Sequence, residues 1–398
     1  MGKRANISGA TTGTMLLRIL FVASLSFGGW YGWRMYHGRK PELPKLPSVT
    51  FNRTNNPATD TITPAPQSLL RRILLEPTNS VAAITNLALP ATNNPVAEPA
   101  KHKPPPEPEH PPRQVRNVQT VLDAQIALAR KGISVGPIDG VAGENMKRAL
   151  MVWQIHNGLT MSGDLDAETK AALRVEEPLF INYQISEEDL KRLMKIPSTW
   201  LGKSEAKRLD FETMLELVAE TSRSSEAFIK KSNPQINWTN VTAGTLVKVP
   251  RIDPPPAPKA AFVRVHLYSK SINVYGKSTN LIAHFPCSIG SRVDNRPVGL
   301  LNVDKAALNP TYWFDPKVFP ESVEAQKLGR KLQLPAGPNN PVGTAWIGLS
   351  RPGYGIHGTP KPEQIGRTES HGCFRLANWN AEHLLQMASP GMPVYVER

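Results

Sequence analysis

The segment Ser370–Leu376, SHGCFRL, brings a histidine, a cysteine and an arginine into five consecutive positions, and the chain has only two cysteines in 398 residues. A thiol with its usual pKa of about 8.5 is mostly protonated at neutral pH, so a nucleophilic cysteine needs a base beside it. Alternate residues of an extended strand share a face, so His371, Cys373 and Arg375 would point the same way. The segment therefore predicts a cysteine nucleophile with a candidate base and a candidate anion-binding group next to it.

A second candidate base is His357 in the segment IHGTP, 16 positions before Cys373 (373 − 357). Its imidazole reaches the thiol only if its strand pairs beside the strand of the cysteine. The residues alone leave His357 and His371 open as the base. Arg375 is placed to hold a substrate carboxylate through two parallel hydrogen bonds, and the alternative interpretation is a surface salt bridge.

Small residues complete the predicted site. Gly372 lets a substrate backbone come close, and the backbone N–H groups around Gly372 and Cys373 are placed to stabilise an oxyanion. Ser370 is expected to bond the backbone or to orient a histidine. We assign Ser370, Gly358 and Arg375 to substrate binding, and His371 and Gly372 to the catalytic group.

The other cysteine, Cys287 in FPCSIG, lies in an apolar strand pattern and is predicted to be a small buried hydrophobe. A disulfide with Cys373 would remove the nucleophile, so we expect none. The remaining histidines do not have the spacing of metal ligands, and no isolated carboxylate pair indicates a glycosidase. These histidines are His37, His102, His110, His156, His266, His284 and His383.

From Phe262 onward, apolar and polar residues alternate in short runs that are separated by turn residues, which predicts a mainly-β domain. One late helix is predicted at Asn380–Ala388. The segments IHGTP, SHGCFRL, RPVGLLNV, LPAGPNNPVGTAWIGLS and GYGIHGTP together resemble the YkuD-type L,D-transpeptidase catalytic domain. The resemblance covers 261–398.

This resemblance implies a division of roles. Cys373 would be the nucleophile, and His357 would accept and donate protons. His371 would shape the pocket or support the thiolate. No metal or organic cofactor is required for this chemistry.

The segment 115–176 resembles the small peptidoglycan-binding domain that accompanies wall enzymes, with a predicted three-helix pattern. Its markers are the Asp-Gly turn, Asp139 and Gly140, and the aromatic-Gln pair, Trp153 and Gln154. The family usually has threonine where Asn145 stands. We expect the markers to be structural, and Asp166 to cap the third helix.

The segment 177–252 looks like a small α+β LysM-type module, a class that binds polymers containing N-acetylglucosamine. Asn233-Pro234 and the stretch from Gly244 to Pro250 fit this pattern. A packing module without sugar affinity is the open alternative. The proline-rich stretch 253–260 is predicted to be a stiff linker.

At the N-terminus, residues 1–14 are predicted to be cytoplasmic and precede an apolar run at 15–34 that ends in aromatic residues. Residues 35–114 are predicted to be a proline-rich disordered linker. The run is predicted to be a signal anchor, with a cleaved signal peptide or a buried core helix as alternatives. The net charge of +14 indicates a polyanionic partner. Without zinc-finger, helix-turn-helix or aromatic RNA-binding signals, we favour the cell envelope over nucleic acid.

Together these patterns predict a multidomain enzyme of the cell envelope, exported across the cytoplasmic membrane and tethered to it by the N-terminal helix. By resemblance, it would form 3→3 cross-links between peptidoglycan stem peptides through a thioester, with peptidoglycan glycan as a further partner. An L,D-carboxypeptidase, a transpeptidase that anchors proteins to peptidoglycan, and a non-catalytic wall-binding factor are the alternatives.

Overall fold

A computed structural model describes residues 114–367 and 372–398. The predicted N-terminal segments, up to residue 113, and the predicted site residues Ser370 and His371 therefore lie outside the described residues. Across the described ranges, no helix is both long enough and apolar enough to cross a membrane.

The first described segment is a small helical unit closed by two short strands. A Thr120 capping box begins its first helix, and Asp166 caps its third by accepting a hydrogen bond from the backbone N–H of Thr169. Gly132, with φ of +78°, follows the end of the first helix. The elements are β1 (Val115–Asn117), α1 (Val121–Arg130), α2 (Glu144–His156), α3 (Ala167–Ala172) and β2 (Arg174–Glu176).

Gln154 holds the end of this unit together. Its side chain is fully buried; Nε2 donates to Ser162, Asp164 and Thr169, and Oε1 accepts from the N–H of Gly163. At the other turn, Oδ1 of Asp139 accepts from the backbone N–H of Val141 and from Nε2 of Gln125, each at 2.8 Å. A buried amide with all its hydrogen-bonding atoms engaged stabilises a fold.

The middle segment pairs its first and last strands around helices. Strands β3 and β4 are antiparallel, with Phe180 opposite Pro250. Asn233 joins the helices to the last strand, because its side-chain amide exchanges hydrogen bonds with the backbone N–H and C=O of Lys248. The elements are β3 (Phe180–Gln184), α4 (Glu187–Arg192), α5 (Trp200–Glu205), α6 (Met214–Thr221), α7 (Glu226–Ser232) and β4 (Leu246–Pro250).

The C-terminal segment contains an eight-stranded sheet in the order β13-β12-β11-β8-β14-β5-β6-β7. The pairs β12–β13 and β14–β5 are parallel and the other pairs are antiparallel. Helix α9 (Asn378–Met387) buries Leu384 and Met387 in the core of the sheet. The strands are β5 (Phe262–His266), β6 (Ser271–Tyr275), β7 (Leu281–Pro286), β8 (Gly299–Leu308), β11 (Ala345–Leu349), β12 (Gly355–His357), β13 (Phe374–Arg375) and β14 (Pro393–Glu397).

A smaller element, which we call the lid hairpin, lies between β8 and β11. It pairs β9 (Tyr312–Phe314) with β10 (Leu332–Leu334) and includes α8 (Val323–Leu328). Helix α8 is additional to the single late helix that the sequence predicts in this domain. Its signals are local: the Ser322 side chain caps its start, and Gly329, with φ of +59°, ends it.

The described residues, 114–367 and 372–398, belong to one compact unit, and specific contacts join its three segments. Ile138 of the first segment exchanges backbone hydrogen bonds with Arg223 and Ser225 of the middle one. Residues 253–260 contain neither helix nor strand, and within them Nζ of Lys259 donates to the carbonyl oxygens of Gln386 and Ala388.

Candidate active site

The register of three neighbouring strands brings the candidate base and Arg375 together. His357 lies opposite Trp346 on antiparallel β11 and opposite Arg375 on parallel β13. Register partners project to the same face of a sheet, and Cys373 precedes Arg375 by two positions. The strand of His357 therefore pairs with the strand that begins directly after Cys373. Such a pairing is required for the imidazole of His357 to reach the thiol, as expected from the sequence.

His357 is buried with its proton position fixed. Its Nδ1 lies 2.7 Å from the carbonyl oxygen of Gly358. Because a carbonyl oxygen can only accept, this bond assigns the proton to Nδ1 and leaves Nε2 as an acceptor. The imidazole also stacks on Trp346, with ring centroids 5.5 Å apart.

Burial lowers the pKa of His357 to about 4; the hydrogen bond to Gly358 opposes this shift, and the positive charge of Arg375 adds to it. The ring is therefore neutral at neutral pH. A neutral imidazole with an available Nε2 is the form that a general base requires.

Gly358 is buried, and its contacts explain why a glycine stands there. A Cβ at this position would lie 2.2 Å from Oδ1 of Asn378, which accepts a hydrogen bond from the backbone N–H of Thr344. The structure thus places Gly358 as the support of His357. Its predicted contact with substrate stays a prediction.

Cys373 is half-buried, and its Sγ donates to the carbonyl oxygen of Gly353 at 3.5 Å. Burial raises the pKa of the thiol above its usual value, while a backbone hydrogen bond from Gly355 and the charge of Arg375 act in the opposite direction. The resting thiol is therefore protonated at neutral pH, so nucleophilic attack requires proton transfer to a base.

The predicted oxyanion residue Gly372 lies in a crowded bend. Its φ is +158°, and a Cβ there would lie 3.2 Å from the ring of Tyr354. Gly290 also lies close, since a Cβ on it would lie 3.1 Å from Cα of Gly372. These contacts favour glycine at both positions.

A cavity of about 1360 Å³ opens over this face, and His357, Gly372, Cys373 and Arg375 all line it. Sequence reasoning missed several aromatic residues of its wall. They are distant in sequence from SHGCFRL, and only the sheet register and the lid hairpin bring them here. They are Tyr312, Trp313, Phe319, Trp346 and Tyr354.

Cys287 has the structural role that the sequence predicts. Its side chain is fully buried, and burial raises the pKa of its thiol to about 12. Neither cysteine is in a disulfide. In the part of the chain that the structure describes, no group of three or more His, Cys, Asp or Glu side chains is arranged to hold a metal ion.

Comparison with known families identifies two domains. Residues 261–396 match the YkuD family, described as "L,D-transpeptidase catalytic domain", and residues 117–173 match a "Putative peptidoglycan binding domain". The "Putative L,D-transpeptidase YkuD" of Bacillus licheniformis is 25% identical over 183 residues, which are 46% of this chain and 92% of that protein. The "Putative L,D-transpeptidase YqjB" of Bacillus subtilis is 32% identical over 118 residues, 28% of this chain and 57% of that protein.

Among solved structures, an L,D-transpeptidase from Mycobacterium smegmatis is similar with a TM-score of 0.28 and 18% identity, covering 40% of this chain and 65% of that one. From the family matches and the named relatives, the C-terminal segment is an L,D-transpeptidase catalytic domain, and the chain is an L,D-transpeptidase enzyme. The first segment is a peptidoglycan-binding domain, which indicates a cell-envelope location.

Proposed function

We propose that this enzyme forms 3→3 cross-links between peptidoglycan stem peptides through a thioester on Cys373. The observation that carries the proposal is the arrangement of His357: a neutral, buried imidazole whose Nε2 is an acceptor, on the strand beside β13, lining the same cavity as the thiol. The cavity is large enough for a peptide.

In the first half-reaction, Sγ of Cys373 attacks the carbonyl carbon of the third, diaminopimelate-type residue of a tetrapeptide stem. The thiol proton passes to Nε2 of His357, and from there to the amine of the leaving D-Ala. The C–N bond breaks and a thioester remains. In the second half-reaction, an amine of another stem attacks the thioester, His357 takes its proton, and the thiol is regenerated.

Other groups would stabilise this path. The backbone N–H groups around Gly372 and Cys373 would bind the oxyanion of the tetrahedral intermediate. Arg375, which lines the cavity, would hold a substrate carboxylate. The roles of Ser370 and His371 rest on the sequence pattern, with Ser370 on the substrate side and His371 supporting the thiolate.

The upstream segments would hold the enzyme at its substrate. The peptidoglycan-binding domain supports binding of the polymer. The antiparallel β3–β4 pair around α6 and α7, joined by Asn233, supports a LysM-like module that binds glycan. The apolar run at 15–34 would anchor the chain on the outer side of the cytoplasmic membrane, and attachment at several points would raise the local concentration of stems.

Product analysis tests the function. Purified enzyme is incubated with a disaccharide-tetrapeptide, and its products are compared with those of Cys373→Ala by liquid chromatography and mass spectrometry. Dimers formed with loss of one D-Ala, absent from the variant, support the proposal. Tripeptide monomers without dimers would instead indicate a carboxypeptidase, and stem peptides on protein lysines an anchoring enzyme.

A further inference from the structure

Part of the active-site cavity is built by residues outside the catalytic domain. Helix α5 belongs to the middle segment, yet Trp200 and Lys203 from this helix line the cavity that holds Cys373 and His357. The nucleophile and this helix are separated by more than 160 residues of sequence (373 − 205 = 168).

Contacts with the lid hairpin fix helix α5 in this position. The indole of Trp200 stacks on Phe314, with ring centroids 4.2 Å apart and planes 17° apart. A carboxylate oxygen of Glu324 accepts hydrogen bonds from the backbone N–H groups of Trp200 at 2.7 Å and Leu201 at 3.3 Å. Leu209, which follows the helix, is buried in one cluster with Phe314. This wall is therefore an integral part of the cavity.

The charges around the cavity are mostly positive. Among the described residues that line it, four are cations and one, Asp304, is an anion. The cations are Lys203, Lys305, Lys361 and Arg375. A cavity with this excess of positive charge attracts an anionic ligand.

Lys203 lines this cavity together with a second lysine, Lys361. It is half-buried, and its Nζ lies 5.4 Å from the ring centroid of Trp200. Burial lowers the pKa of Lys203, and the charge of Lys361 lowers it further, whereas Glu324 raises it. The carboxylate of Glu324 already binds the backbone of Trp200 and Leu201. An anionic ligand between the two ammonium groups would relieve their repulsion.

We propose that Lys203, together with Lys361, binds a carboxylate of the stem peptide, and that the middle segment is thus a substrate-specificity element of the active site. The inference rests on the proposed function. A stem tetrapeptide carries several free carboxylates, including those of its third residue and its C-terminal D-Ala, so it supplies an anion for this cationic wall. Arg375, beside the nucleophile, lines the same cavity.

The test uses the full chain and two tetrapeptide substrates, one with the side-chain carboxylate of the third residue free and one with it amidated. Release of D-Ala is measured for wild type, Lys203→Ala, Lys203→Arg and the control Lys207→Ala, which removes an exposed lysine just beyond α5. With the free-acid peptide, Lys203→Ala should raise KM about two- to fivefold with little change in kcat, as expected for loss of one partly solvated ion pair. Lys203→Arg should restore KM, and Lys207→Ala should match wild type.

The amidated peptide identifies the carboxylate. If Lys203 binds the third residue, the difference between wild type and Lys203→Ala disappears with this substrate. If it binds another carboxylate of the stem, such as that of the terminal D-Ala, the difference persists with both substrates. Equal KM values for wild type and Lys203→Ala on the free-acid peptide would overturn the proposal, as would a loss that Lys203→Arg does not rescue.

A neutral thiol reagent distinguishes failure of the Lys203 proposal from failure of the proposed function. Iodoacetamide should alkylate Cys373 at the same rate in wild type and Lys203→Ala, because the reagent carries no charge. If Lys203→Ala raises KM while the alkylation rate of Cys373 is unchanged, the substitution affects substrate binding at Lys203 and not the nucleophile. If wild type releases no D-Ala at all, the proposed reaction itself is wrong.

Discussion

His357 of β12 and Arg375 of β13 are register partners on adjacent parallel strands, and both side chains line the active-site cavity. Burial keeps the pKa of His357 low, and the guanidinium adds to this shift because it disfavours a second positive charge on the imidazole. Burial and this pairing together maintain the base in its proton-accepting form.

The acidic limb of the pH profile tests this relationship. Since burial lowers the pKa of His357 to about 4, the base is lost only as pH falls through about 4, well below the usual histidine value of about 6.5. We expect kcat/KM for D-Ala release to follow that limb. Arg375→Gln should move the limb to higher pH, and His357→Gln should lower the rate about 10²–10⁴-fold. A wild-type limb near the usual value would contradict the assignment.

The reactivity of the nucleophile should rise with pH beyond the usual range. Burial raises the pKa of Cys373, so its thiolate fraction keeps growing above the usual thiol pKa of about 8.5. The rate of alkylation by iodoacetamide, followed by intact mass, should show no plateau up to that pH. Cys287, which is fully buried, serves as the internal control and should stay unmodified in the native protein. A plateau near neutral pH would indicate a resting thiolate.

A half-buried carboxyl links the middle segment to the catalytic domain. Glu220 accepts a 2.8 Å hydrogen bond from Nδ2 of Asn378, and burial raises the pKa of Glu220 to about 8. Between about 4.5 and about 8, the folded state keeps this proton and the unfolded state does not, so stability falls as pH rises through that window.

Glu220→Gln removes this pH dependence, because glutamine stays neutral and can still accept the hydrogen bond. Its Tm relative to wild type should therefore be several degrees higher at pH 8 than at pH 5. Glu188→Gln, at an exposed site, is the control and should show no such trend. An equal Tm difference at both pH values would mean that Glu220 is ionised in the folded protein.

A substitution of Gln154 tests whether this residue stabilises the peptidoglycan-binding domain or contacts the polymer. Gln154→Ala leaves the buried N–H of Gly163 without its acceptor, and we expect a loss of about 2–3 kcal/mol in the unfolding free energy. The unfolding transition of the first segment would report this loss, and Gln119→Ala, at an exposed position, should not change it. If Gln154→Ala instead weakens peptidoglycan binding at unchanged stability, the residue contacts the polymer.

Local signals predicted the features that depend on neighbouring residues. Asp166 caps its helix, and Cys287 is buried directly after the end of β7. The late helix is confirmed with shifted bounds, Asn378–Met387. In each case, a few consecutive residues contain the physical cause.

Features that depend on distant contacts were not predicted. Trp200 stacks on Phe314, and Glu220 meets Asn378 across 158 positions of sequence. No periodicity or spacing within one segment encodes such pairs, because they arise when separate segments pack together. The cavity wall formed by helix α5 belongs to this class, because this helix and the strands around the nucleophile come from distant parts of the sequence.

The central claim is that Cys373 becomes acylated, and mass spectrometry of the enzyme after incubation with a carbapenem tests it most directly. Trypsin releases residues 368–375 as one peptide, since Arg367 and Arg375 bound it. The account predicts one adduct, located on this peptide at Cys373 and absent from Cys373→Ala. An adduct on another side chain, or equal acylation of the variant, would contradict it.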